Sequence, residues 1–462
     1  MTNYDVIIIG AGPGGIFAAL KLITNSNLKI AIFDKGKSIE KRKCPINKEH
    51  PNCLHCSSCS IMSGFGGAGG FSDGKYNITT EFGGTLGEVI GDDLAFSYME
   101  EAIDINNLFL DKETNYYHTD EELSKLCLIN KMRLLNSKVY HFGTDGNYTI
   151  LQKMYDFLKD KVDFYFETEV LTINKASEDF CISTEKDTYI SKYCIVATGR
   201  SGSKWTEELC NKFAISTKSN TVDIGVRVEL PAKVFENITD KVYESKIVYR
   251  TETYQDKVRT FCMNPNGEVV TENTNGIITV NGHSYEGSNE KTENTNFALL
   301  VNKGFTEPFN DSNAYIESIA KLSNMLGGGV IVQRFGDLIR GQRSTSKRIA
   351  EGFTRPTLQA TPGDLSLVLP KRVLDDIIEM IYALDKVAPG TANDDTLLYG
   401  VEVKFYNMKV EVNNNLETKI DNLYIIGDCS GITHSLSQAS ASGLCVANNI
   451  LDIKMKRLVL SK

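Results

Sequence analysis

The chain has 462 residues, of which 41% are hydrophobic and 24% are charged, and its formal net charge at pH 7 is −9. This composition is typical of a globular protein with room for two or three hydrophobic cores, and the acidic balance argues against nucleic acid as the main partner. No apolar stretch reaches the roughly 18 residues that a membrane span requires, and the apolar run near the N-terminus lacks the features of a signal peptide. We therefore expect a cytoplasmic protein without a membrane partner.

The first 34 residues contain a dinucleotide-binding pattern. An apolar run at 5–9 breaks into the turn Gly10-Ala-Gly-Pro-Gly-Gly15, an amphipathic stretch follows, and a second apolar run at 29–33 ends on Asp34. This order of strand, G-x-G-x-x-G turn, helix, strand and acid is the fingerprint of a βαβ unit that binds a dinucleotide.

Each residue of this pattern has a predicted task. Gly10 permits the tight turn, Gly12 lets the backbone approach a pyrophosphate, and Gly15 lets the helix pack close to the strand. The helix N-terminus attracts the phosphates through its free N–H groups and partial positive charge. Asp34 is expected to accept hydrogen bonds from a ribose diol.

Apolar periodicity predicts the elements along the rest of the chain. The predicted helices lie at 96–135, 150–160, 314–326, 371–385 and 437–451, and the predicted strands lie at 162–170, 173–198 (a hairpin ending in a buried strand) and 423–426. Between about 220 and 300, β-branched runs alternate with Asn, Thr and Gly turns, which predicts an antiparallel sheet.

Two further motifs follow predicted buried strands. The first is Ala197-Thr-Gly-Arg-Ser-Gly202, and the second is Gly427-Asp-Cys-Ser-Gly431, which precedes a helix. A strand ending in Gly-Asp places a carboxylate beside a polyol, and the helix N-terminus behind it can stabilise negative charge on the N1–C2=O edge of a flavin.

Together, these motifs resemble those of the two-dinucleotide-domain flavoprotein superfamily, in which distant segments of the chain hold FAD. The resemblance implies that Gly10, Gly12 and Gly15 face the pyrophosphate, that Asp34 binds the adenosine ribose, and that Asp428 holds the ribityl chain. It also implies a backbone contact from Val170 to the adenine. The residues assigned to the FAD site in this way are Gly10, Gly12, Pro13, Gly14, Gly15, Asp34, Lys35, Arg42, Gly67, Ala68, Gly69, Val170, Thr198, Gly199, Gly427, Asp428 and Gln438.

The stretch Gly64-Phe-Gly-Gly-Ala-Gly-Gly-Phe-Ser-Asp-Gly-Lys75 narrows the resemblance to the uncharacterised FAD-dependent dehydrogenases. Segments beginning at Asp223, Val258, Asn296 and Gln438 are similar to that family as well, so the match extends over nearly the whole chain. The family carries no assigned substrate. The sequence has no second G-x-G-x-x-G that lies between a predicted strand and an acid-terminated strand, which implies that any NAD(P)H binds transiently without a Rossmann domain of its own.

Four of the eleven cysteines, Cys44, Cys53, Cys56 and Cys59, form a loop at 44–59. Soft thiolate ligands favour an iron–sulfur cluster or zinc, and the C-x-x-C-x-x-C run with a separate Cys-Pro resembles ferredoxin spacing in a different order. Redox-active thiols and unliganded thiols remain alternatives. We predict a metal or cluster bound by these four sulfurs, with iron–sulfur preferred because a flavin would provide an electron partner.

Lys75 and His434 are the candidate catalytic residues. Lys75 ends a glycine-rich loop that resembles flavin-covering loops, and His434 follows the Gly-Asp motif by six residues. Both side chains can move protons when they lie within hydrogen-bond reach of a substrate. Arg334, Arg340 and Arg343 form a basic stretch that either clamps an anion or is simply solvated.

The fold predicted from these observations is α/β. A discontinuous, Rossmann-like FAD-binding domain at 1–95, 145–215 and 395–462 carries an inserted α+β substrate domain, at 96–144 and 216–394, that is built on an antiparallel sheet. The predicted activity is hydride transfer between flavin N5 and a small organic substrate, with NAD(P)H or a ferredoxin as electron partner. The alternatives are a flavin-dependent RNA-modifying enzyme, a redox sensor or electron-transfer protein, and a monooxygenase, which is disfavoured because Cys-Ser replaces Ala-His after the Gly-Asp motif.

Overall fold

The computed structural model of the protein describes residues 2–45, 56–242, 245–274, 276–284, 291–306, 308–309 and 311–460. The α-helices are α1 Pro13–Asn25, α2 Leu86–Ile90, α3 Asp92–Leu110, α4 Glu121–Ile129, α5 Gly143–Leu158, α6 Ser203–Lys212, α7 Ala232–Thr239, α8 Ser312–Gly327, α9 Phe335–Ile339, α10 Ser346–Glu351, α11 Lys371–Asp385 and α12 Leu436–Leu460. The strands are β1 Thr2–Ile9, β2 Ile30–Phe33, β3 Lys75–Ile78, β4 Tyr116–Tyr117, β5 Met132–Leu134, β6 Lys138–His141, β7 Asp163–Tyr165, β8 Val170–Ala176, β9 Asp179–Thr184, β10 Thr188–Val196, β11 Thr217–Lys218, β12 Val222–Pro231, β13 Ile247–Arg250, β14 Lys257–Asn264, β15 Glu268–Thr274, β16 Ile277–His283, β17 Asn294–Lys303, β18 Ile331–Arg334, β19 Thr361–Pro362, β20 Leu397–Lys404, β21 Lys409–Val410 and β22 Leu423–Ile425.

The chain divides into two compact units. The first comprises 1–116, 137–218 and 407–462, and the second comprises 117–136 and 219–406. The predicted domain boundaries at 96, 144 and 395 therefore differ from those of the structure, which lie at 116/117, 136/137 and 406/407. The helix α3 belongs to the first unit because Met99 and Ile103 enter its hydrophobic core, β6 belongs there because it pairs with β3, and β20 belongs to the second unit because it pairs with β12.

The first unit is built on a sheet in the order β7-β2-β1-β10-β9-β8, and β22 also pairs with β10. The pairs β7–β2, β2–β1, β1–β10 and β10–β22 are parallel, whereas β10–β9 and β9–β8 are antiparallel. The strands β2 and β22 are fully buried, and β1 is buried over its last four residues, as expected for parallel strands covered on both faces. This mixed Rossmann-type sheet confirms the predicted fold class.

Two helices with small residues pack closely against each other beside this sheet. A Cβ on Gly443 of α12 would overlap the carbonyl oxygen of Gly14 of α1, and Gly14 itself lies near Ala439 and Ile426. The small-residue run at 439–443 therefore allows the backbones to approach, so that the C-terminal helix covers the N-terminal one. This contact brings the two ends of the chain together in one unit.

The second unit contains an eight-stranded sheet in the order β19-β18-β20-β12-β17-β14-β13-β5. Its pairs are antiparallel except for β18–β19, which confirms the predicted antiparallel sheet. Every second side chain of β12 packs into the core with α11, namely those of Ile224, Val226, Val228 and Leu230.

The strand predicted at 162–170 is interrupted in the structure. The strand β7 ends at Tyr165, and β8 begins at Val170. Between them, Glu167 has a φ of 51°, a left-handed conformation that breaks strand pairing. Within the described residues, no helix is long and apolar enough to cross a membrane.

Candidate functional site

The dinucleotide motifs meet at one edge of the first sheet. Ile9 pairs with Phe33 on one side and with Val196 on the other, and Val196 pairs in turn with Ile425. The strands β2, β1, β10 and β22 are parallel, so the segments that follow these four residues all leave the same carboxyl edge. Pairing of the strands therefore brings together four motifs that are far apart in the sequence.

Two of the motif glycines are required by packing within the protein. A Cβ on Gly10, whose φ is 111°, would overlap the carbonyl oxygen of Ala197. A Cβ on Gly15 would overlap the carbonyl oxygen of Gly10. The tight turn and the close approach of helix to strand that the sequence predicted are both confirmed.

Three other motif glycines face open space. A Cβ on Gly12 would meet only the Cα of Gly67, at 3.9 Å, and among the described residues a Cβ on Gly199 or Gly427 would have no heavy atom within 4 Å. Gly427 is a buried residue, so this space lies inside the molecule rather than at an exposed turn. Open space beside glycine backbone is suited to a closely bound ligand.

Helix α1 begins beside this space. Gly12 is its N-cap residue, with an extended backbone at φ −81°, and Pro13 opens the first turn without an N–H group. Acidic side chains are lacking in that turn, so the partial positive charge of the helix N-terminus is available to an anion.

The carboxylate of Asp34 is held by the backbone. Its Oδ2 accepts the N–H of Ala11 at 2.8 Å, and its Oδ1 accepts the N–H groups of Gly36 and Gly64 at 2.7 and 2.9 Å. Asp34 thus ties the glycine turn to two later loops, a task that the sequence pattern did not reveal. The predicted hydrogen bond to a ribose stays a prediction.

Asp428 follows β22 and therefore lies at the other end of the carboxyl edge from Asp34, which follows β2. Its Oδ1 accepts a hydrogen bond of 3.1 Å from the hydroxyl of Thr433, and its Oδ2 lies 3.3 Å from Nε of Arg200. Burial raises the pKa of Asp428 above its ordinary value, and Arg200 and Thr433 offset this effect only in part. The motif at 197–202 therefore provides the counter-ion of the Gly-Asp motif.

Comparison with known proteins identifies the protein family in which this arrangement occurs. The model of the family "Pyridine nucleotide-disulphide oxidoreductase" matches residues 4–220, and the model "FAD-dependent protein, C-terminal domain-like" matches residues 221–405. The chain belongs to the FAD-dependent flavoproteins. An uncharacterized protein of Clostridium beijerinckii is 26% identical over 471 residues, an alignment that covers 96% of this chain and 80% of that protein.

Two solved structures have weaker similarity to this chain. Glycine oxidase from Geobacillus kaustophilus is 12% identical with a TM-score of 0.40, covering 98% of this chain and 95% of its own. The p-nitrophenol 4-monooxygenase from Pseudomonas putida is 7% identical with a TM-score of 0.39, covering 100% of this chain and 82% of its own.

The residues of this flavoprotein fit FAD. The open space before Gly12, Gly199 and Gly427 is a cradle that side chains would fill, the N-terminus of α1 suits a pyrophosphate, and Asp428 offers acceptors to a polyol. Thr198, which follows the same edge, shares a hydrogen bond of 3.2 Å with the hydroxyl of Thr206.

Arg42 has a task in this flavoprotein other than the one expected. Its guanidinium is 3% exposed and donates to four backbone carbonyls, those of Ser60, Ile61, Phe65 and Gly67, at 2.6–2.9 Å. The side chain of Arg42 therefore positions the loop at 60–67, and its predicted contact to FAD stays a prediction.

Gln438 is likewise an internal clamp. Its amide donates to the carbonyls of Thr79 and Phe82 at 3.2 and 3.0 Å and accepts the N–H of Leu86 at 3.3 Å, and the residue is fully buried. The prediction that Gln438 contacts FAD stays a prediction. Its side chain fixes the segment at 79–86 against the N-terminal turn of α12.

The remaining predicted FAD residues lie around these elements. Gly67 faces Gly12 and Pro13, Ala68 is exposed, and Gly69 packs against Leu436 at the start of α12. Lys35 is partly buried directly after Asp34, and Val170 is a buried core residue at the start of β8. Their contacts to FAD remain predictions.

Lys75 belongs to a polar group that the sequence did not identify. Its Nζ lies 3.1 Å from Oδ2 of Asp73, and Nε2 of His141 lies 3.5 Å from the same oxygen. Lys75 and His141 are paired neighbours in the antiparallel strands β3 and β6. Burial acts to raise the pKa of Asp73, but His141 and Lys75 outweigh it and lower that pKa to about 2.

His434, the second candidate catalytic residue, is held through its backbone. Its backbone N–H donates to the carbonyl of Gly83 at 2.9 Å, next to the bridge between Thr433 and Gly84. The imidazole is partly buried near the N-terminus of α12. Its catalytic role remains a prediction.

The cysteine loop is described only in part. Cys53 lies outside the described residues, whereas Cys44 is partly buried and Cys56 and Cys59 are exposed thiols. Among the described residues alone, the His, Cys, Asp and Glu side chains form no group of three that could hold a metal ion. The four-sulfur site stays a prediction, because one of its members is not described.

The basic stretch at 334–343 is largely neutralised in the second unit. Arg334 pairs with Asp395 and lies 3.5 Å from Asp337, and Arg340 donates to Asp394 at 3.0 Å. These two arginines therefore tie α9 to the segment before β20, which argues against the anion clamp considered from the sequence.

Proposed function

We propose that this flavoprotein is an oxidoreductase that moves a hydride between N5 of FAD and a small organic substrate. The observation that supports it best is the open space before buried Gly427, at the carboxyl edge that also carries Gly12 and Gly199. When bound, FAD would supply the hydride chemistry, and the protein would supply binding, orientation and electrostatics.

The chain's own groups divide the task of holding the cofactor. The N-terminus of α1 would neutralise part of the pyrophosphate charge, and the cradle at Gly12 would let the phosphates approach the backbone. Asp428 would accept hydrogen bonds from the ribityl hydroxyls. The N-terminus of α12 would favour negative charge on the N1–C2=O edge.

Lys75 is the proposed proton donor or acceptor of the site. Asp73 holds the ammonium at 3.1 Å and also attracts His141, so the three groups share one charge network on the strands β3 and β6. A low pKa keeps Asp73 ionised at neutral pH, which stabilises a positive charge on its neighbours. In this arrangement His141 would position Lys75 and replenish its proton.

The electron partner is proposed to be NAD(P)H, a ferredoxin, or a metal centre at Cys44, Cys53, Cys56 and Cys59. The spacing of the four cysteines supports the metal centre. An iron–sulfur cluster would accept single electrons, whereas zinc would act only as a structural ion.

The experiment is anaerobic purification followed by an absorption spectrum, reconstitution with FAD, and analysis of iron, sulfide and zinc. Flavin bands in the reconstituted protein, with spectral change on mixing with NADH, NADPH or an organic donor, support the proposal. Failure of folded protein to take up FAD overturns it. Iron and sulfide in a fixed ratio to protein would support the cluster, and zinc would support the structural site.

A further inference from the structure

Arg200 lies in the middle of the carboxyl edge of the first sheet. The segment at 197–202 follows β10, which pairs with β1 on one side and with β22 on the other. It therefore lies between the glycine turn at 10–15, where α1 begins, and the Gly-Asp motif that contains Asp428. A side chain from this segment is close to both groups to which the cofactor's phosphates and ribityl chain are assigned.

The backbone that carries Arg200 is anchored by packing. The carbonyl oxygen of Ala197 occupies the position that a Cβ on Gly10 would take. The N–H of Gly202 donates to the carbonyl of Gly199 at 3.2 Å and closes the short turn that contains Arg200. The base of the side chain is thus fixed, whereas the side chain itself is 50% exposed.

The guanidinium of Arg200 has donors to spare. Its contact with Asp428 is made by Nε, which lies 3.3 Å from Oδ2, and no described residue accepts a hydrogen bond from Nη1 or Nη2. These two nitrogens share one edge of the planar guanidinium. Two N–H groups on one edge match two oxygens of a phosphate, so Arg200 has a complete fork available beside its contact with Asp428.

The two residues that precede this ion pair both border open space. Gly199 comes directly before Arg200, and Gly427 comes directly before Asp428. Among the described residues, a Cβ on either glycine would have no heavy atom within 4 Å. The ion pair therefore lies beside the space assigned to the cofactor, where its spare donors can meet a ligand.

A pyrophosphate at this edge requires a cation. Each phosphate carries a negative charge, and the N-terminus of α1 supplies only about half an elementary charge. Neither the turn at 10–15 nor the motif at 427–431 contains a lysine or an arginine. The carboxylate of Asp428 adds further negative charge. Arg200, on the segment between them, supplies the missing positive charge.

We infer that Arg200 binds the pyrophosphate of FAD through its Nη1–Nη2 edge, while its Nε keeps the contact with Asp428. The inference rests on the proposed function, because that function requires bound FAD. One side chain would then link the phosphate site at α1 to the carboxylate that holds the ribityl chain. A lysine has no fork, so it would replace only part of this link.

Fluorescence titration of the apoprotein with oxidised FAD tests the inference. Arg200→Met is expected to raise the Kd for FAD about 10- to 150-fold, because hydrogen bonds to a charged acceptor are lost, and Arg200→Lys is expected to recover part of this loss. Lys204→Met removes the same charge at an exposed position on α6 and should bind FAD as the wild type does. Wild-type affinity in folded Arg200→Met overturns the inference.

A variant of Asp428 separates direct binding from an indirect effect. Asp428→Asn keeps the size of the side chain and removes its charge. If Arg200 binds the phosphates, Arg200→Met weakens FAD binding about tenfold or more in the Asp428→Asn protein as well. If Arg200 acts only as the counter-ion of Asp428, the second substitution has no effect in that protein, and the inference is overturned.

The dependence on salt is an independent measurement. The oxidised isoalloxazine is uncharged, so attraction between Arg200 and FAD comes from the phosphates and is screened by salt. The Kd of the wild type should therefore rise with sodium chloride more steeply than the Kd of Arg200→Met. Equal salt dependence in the two proteins overturns the contact with the pyrophosphate.

The two proposals fail separately. If Arg200→Met weakens FAD binding, but bound FAD accepts a hydride from none of the donors tested, the contact is supported and the oxidoreductase is overturned. Normal flavin reduction with equal FAD affinity in the wild type and Arg200→Met overturns only the contact. Failure of the folded wild type to take up FAD overturns both.

Discussion

A Cβ on Gly10 would overlap the carbonyl oxygen of Ala197, although the two residues are far apart in the sequence. This contact fixes the first glycine turn against the end of β10. At the same edge of the sheet, a Cβ on Gly12 would meet only the Cα of Gly67, at 3.9 Å, among the described residues. The glycines of this motif are therefore needed for two different physical reasons, close packing within the protein at one position and open space at the other. Substitutions can distinguish the two reasons.

Gly12→Ala is expected to weaken FAD binding while leaving the apoprotein nearly as stable as the wild type. The backbone at Gly12 suits alanine, and the loss of a preferred N-cap costs at most about 1 kcal/mol. A methyl group in the cofactor's space should cost about 1–3 kcal/mol of binding, which corresponds to roughly 5- to 150-fold in Kd. Fluorescence titration with FAD measures the affinity, and thermal unfolding measures the stability.

Gly15→Ala is the matched comparison. Its methyl group would overlap the carbonyl oxygen of Gly10, so the apoprotein itself should lose stability. If Gly12→Ala destabilised the apoprotein as much as Gly15→Ala does, the space before Gly12 would not be a ligand cradle.

Arg42→Lys is expected to lower the free energy of unfolding of the first unit by about 3 kcal/mol, because one ammonium cannot replace a guanidinium that bonds four carbonyls. Trp205, the single tryptophan of the chain, lies in this unit and provides the fluorescence signal for urea titration. The exposed neighbour Lys43 gives the control, Lys43→Met, which should change stability little. An unchanged midpoint for Arg42→Lys would show that the loop does not depend on the clamp.

The buried carboxyl of Asp376 should make the second unit sensitive to pH. Burial raises its pKa to about 6, despite a hydrogen bond from Thr251 and the nearby ammonium of Lys303. A raised pKa favours the protonated form in the folded state, so the stability is present below about pH 4 and is lost as the pH rises through about 6.

Asp376→Asn removes this titration. Relative to the variant, the wild type should lose about 2 kcal/mol of unfolding free energy between about pH 4 and pH 7, as measured by urea unfolding followed by circular dichroism. Asp240→Asn, at an exposed position of the same unit, should run parallel to the wild type. Parallel curves for Asp376→Asn would contradict the assignment.

Lys75→Met is expected to slow flavin reduction by an active donor about 100-fold, which is a typical loss for a general acid or base. Without the ammonium, the pKa of Asp73 should rise, so the acid side of the pH–rate profile should move to higher pH. Stopped-flow absorbance over a range of pH measures both effects.

Lys138→Met is the control and should keep the wild-type profile, because Lys138, on the strand that pairs with β3, is partly exposed and pairs with Glu100. His141→Gln should reproduce the pH shift with a smaller loss of rate. A Lys75→Met profile identical to that of the wild type would remove Lys75 from the mechanism.

Cys56→Ser and Cys59→Ser should each abolish bound iron or zinc, if the loop at 44–59 holds a metal. Cys181→Ser, at a partly buried position on β9, should leave the metal content unchanged. Elemental analysis of anaerobically purified protein gives the result, and metal content that is independent of both loop cysteines would contradict the site.

Residue type and spacing were sufficient to predict the first βαβ unit and the order of the motifs, but the helix predicted at 96–135 is two helices, α3 and α4, with the short strands β4 and β5 after them. The run from Asp5 to Asp34 specifies strand, turn, helix and strand through residue type alone, and the tasks of Gly10 and Gly15 follow from close packing that any βαβ unit requires. The antiparallel sheet of the second unit was also predictable, because β-branched runs separated by turn residues have few other solutions.

The polar side chains that hold the protein together could be identified only from the folded chain. Arg42 and Gln438 bond carbonyls of loops that approach them through folding, and Asp73 meets His141 because β3 pairs with β6. Arg227 likewise meets Glu402 because β12 pairs with β20. Side-chain type limits the bonds that a residue can make, but the partner is set by backbone positions that are distant in sequence, and these exist only once the sheets have formed.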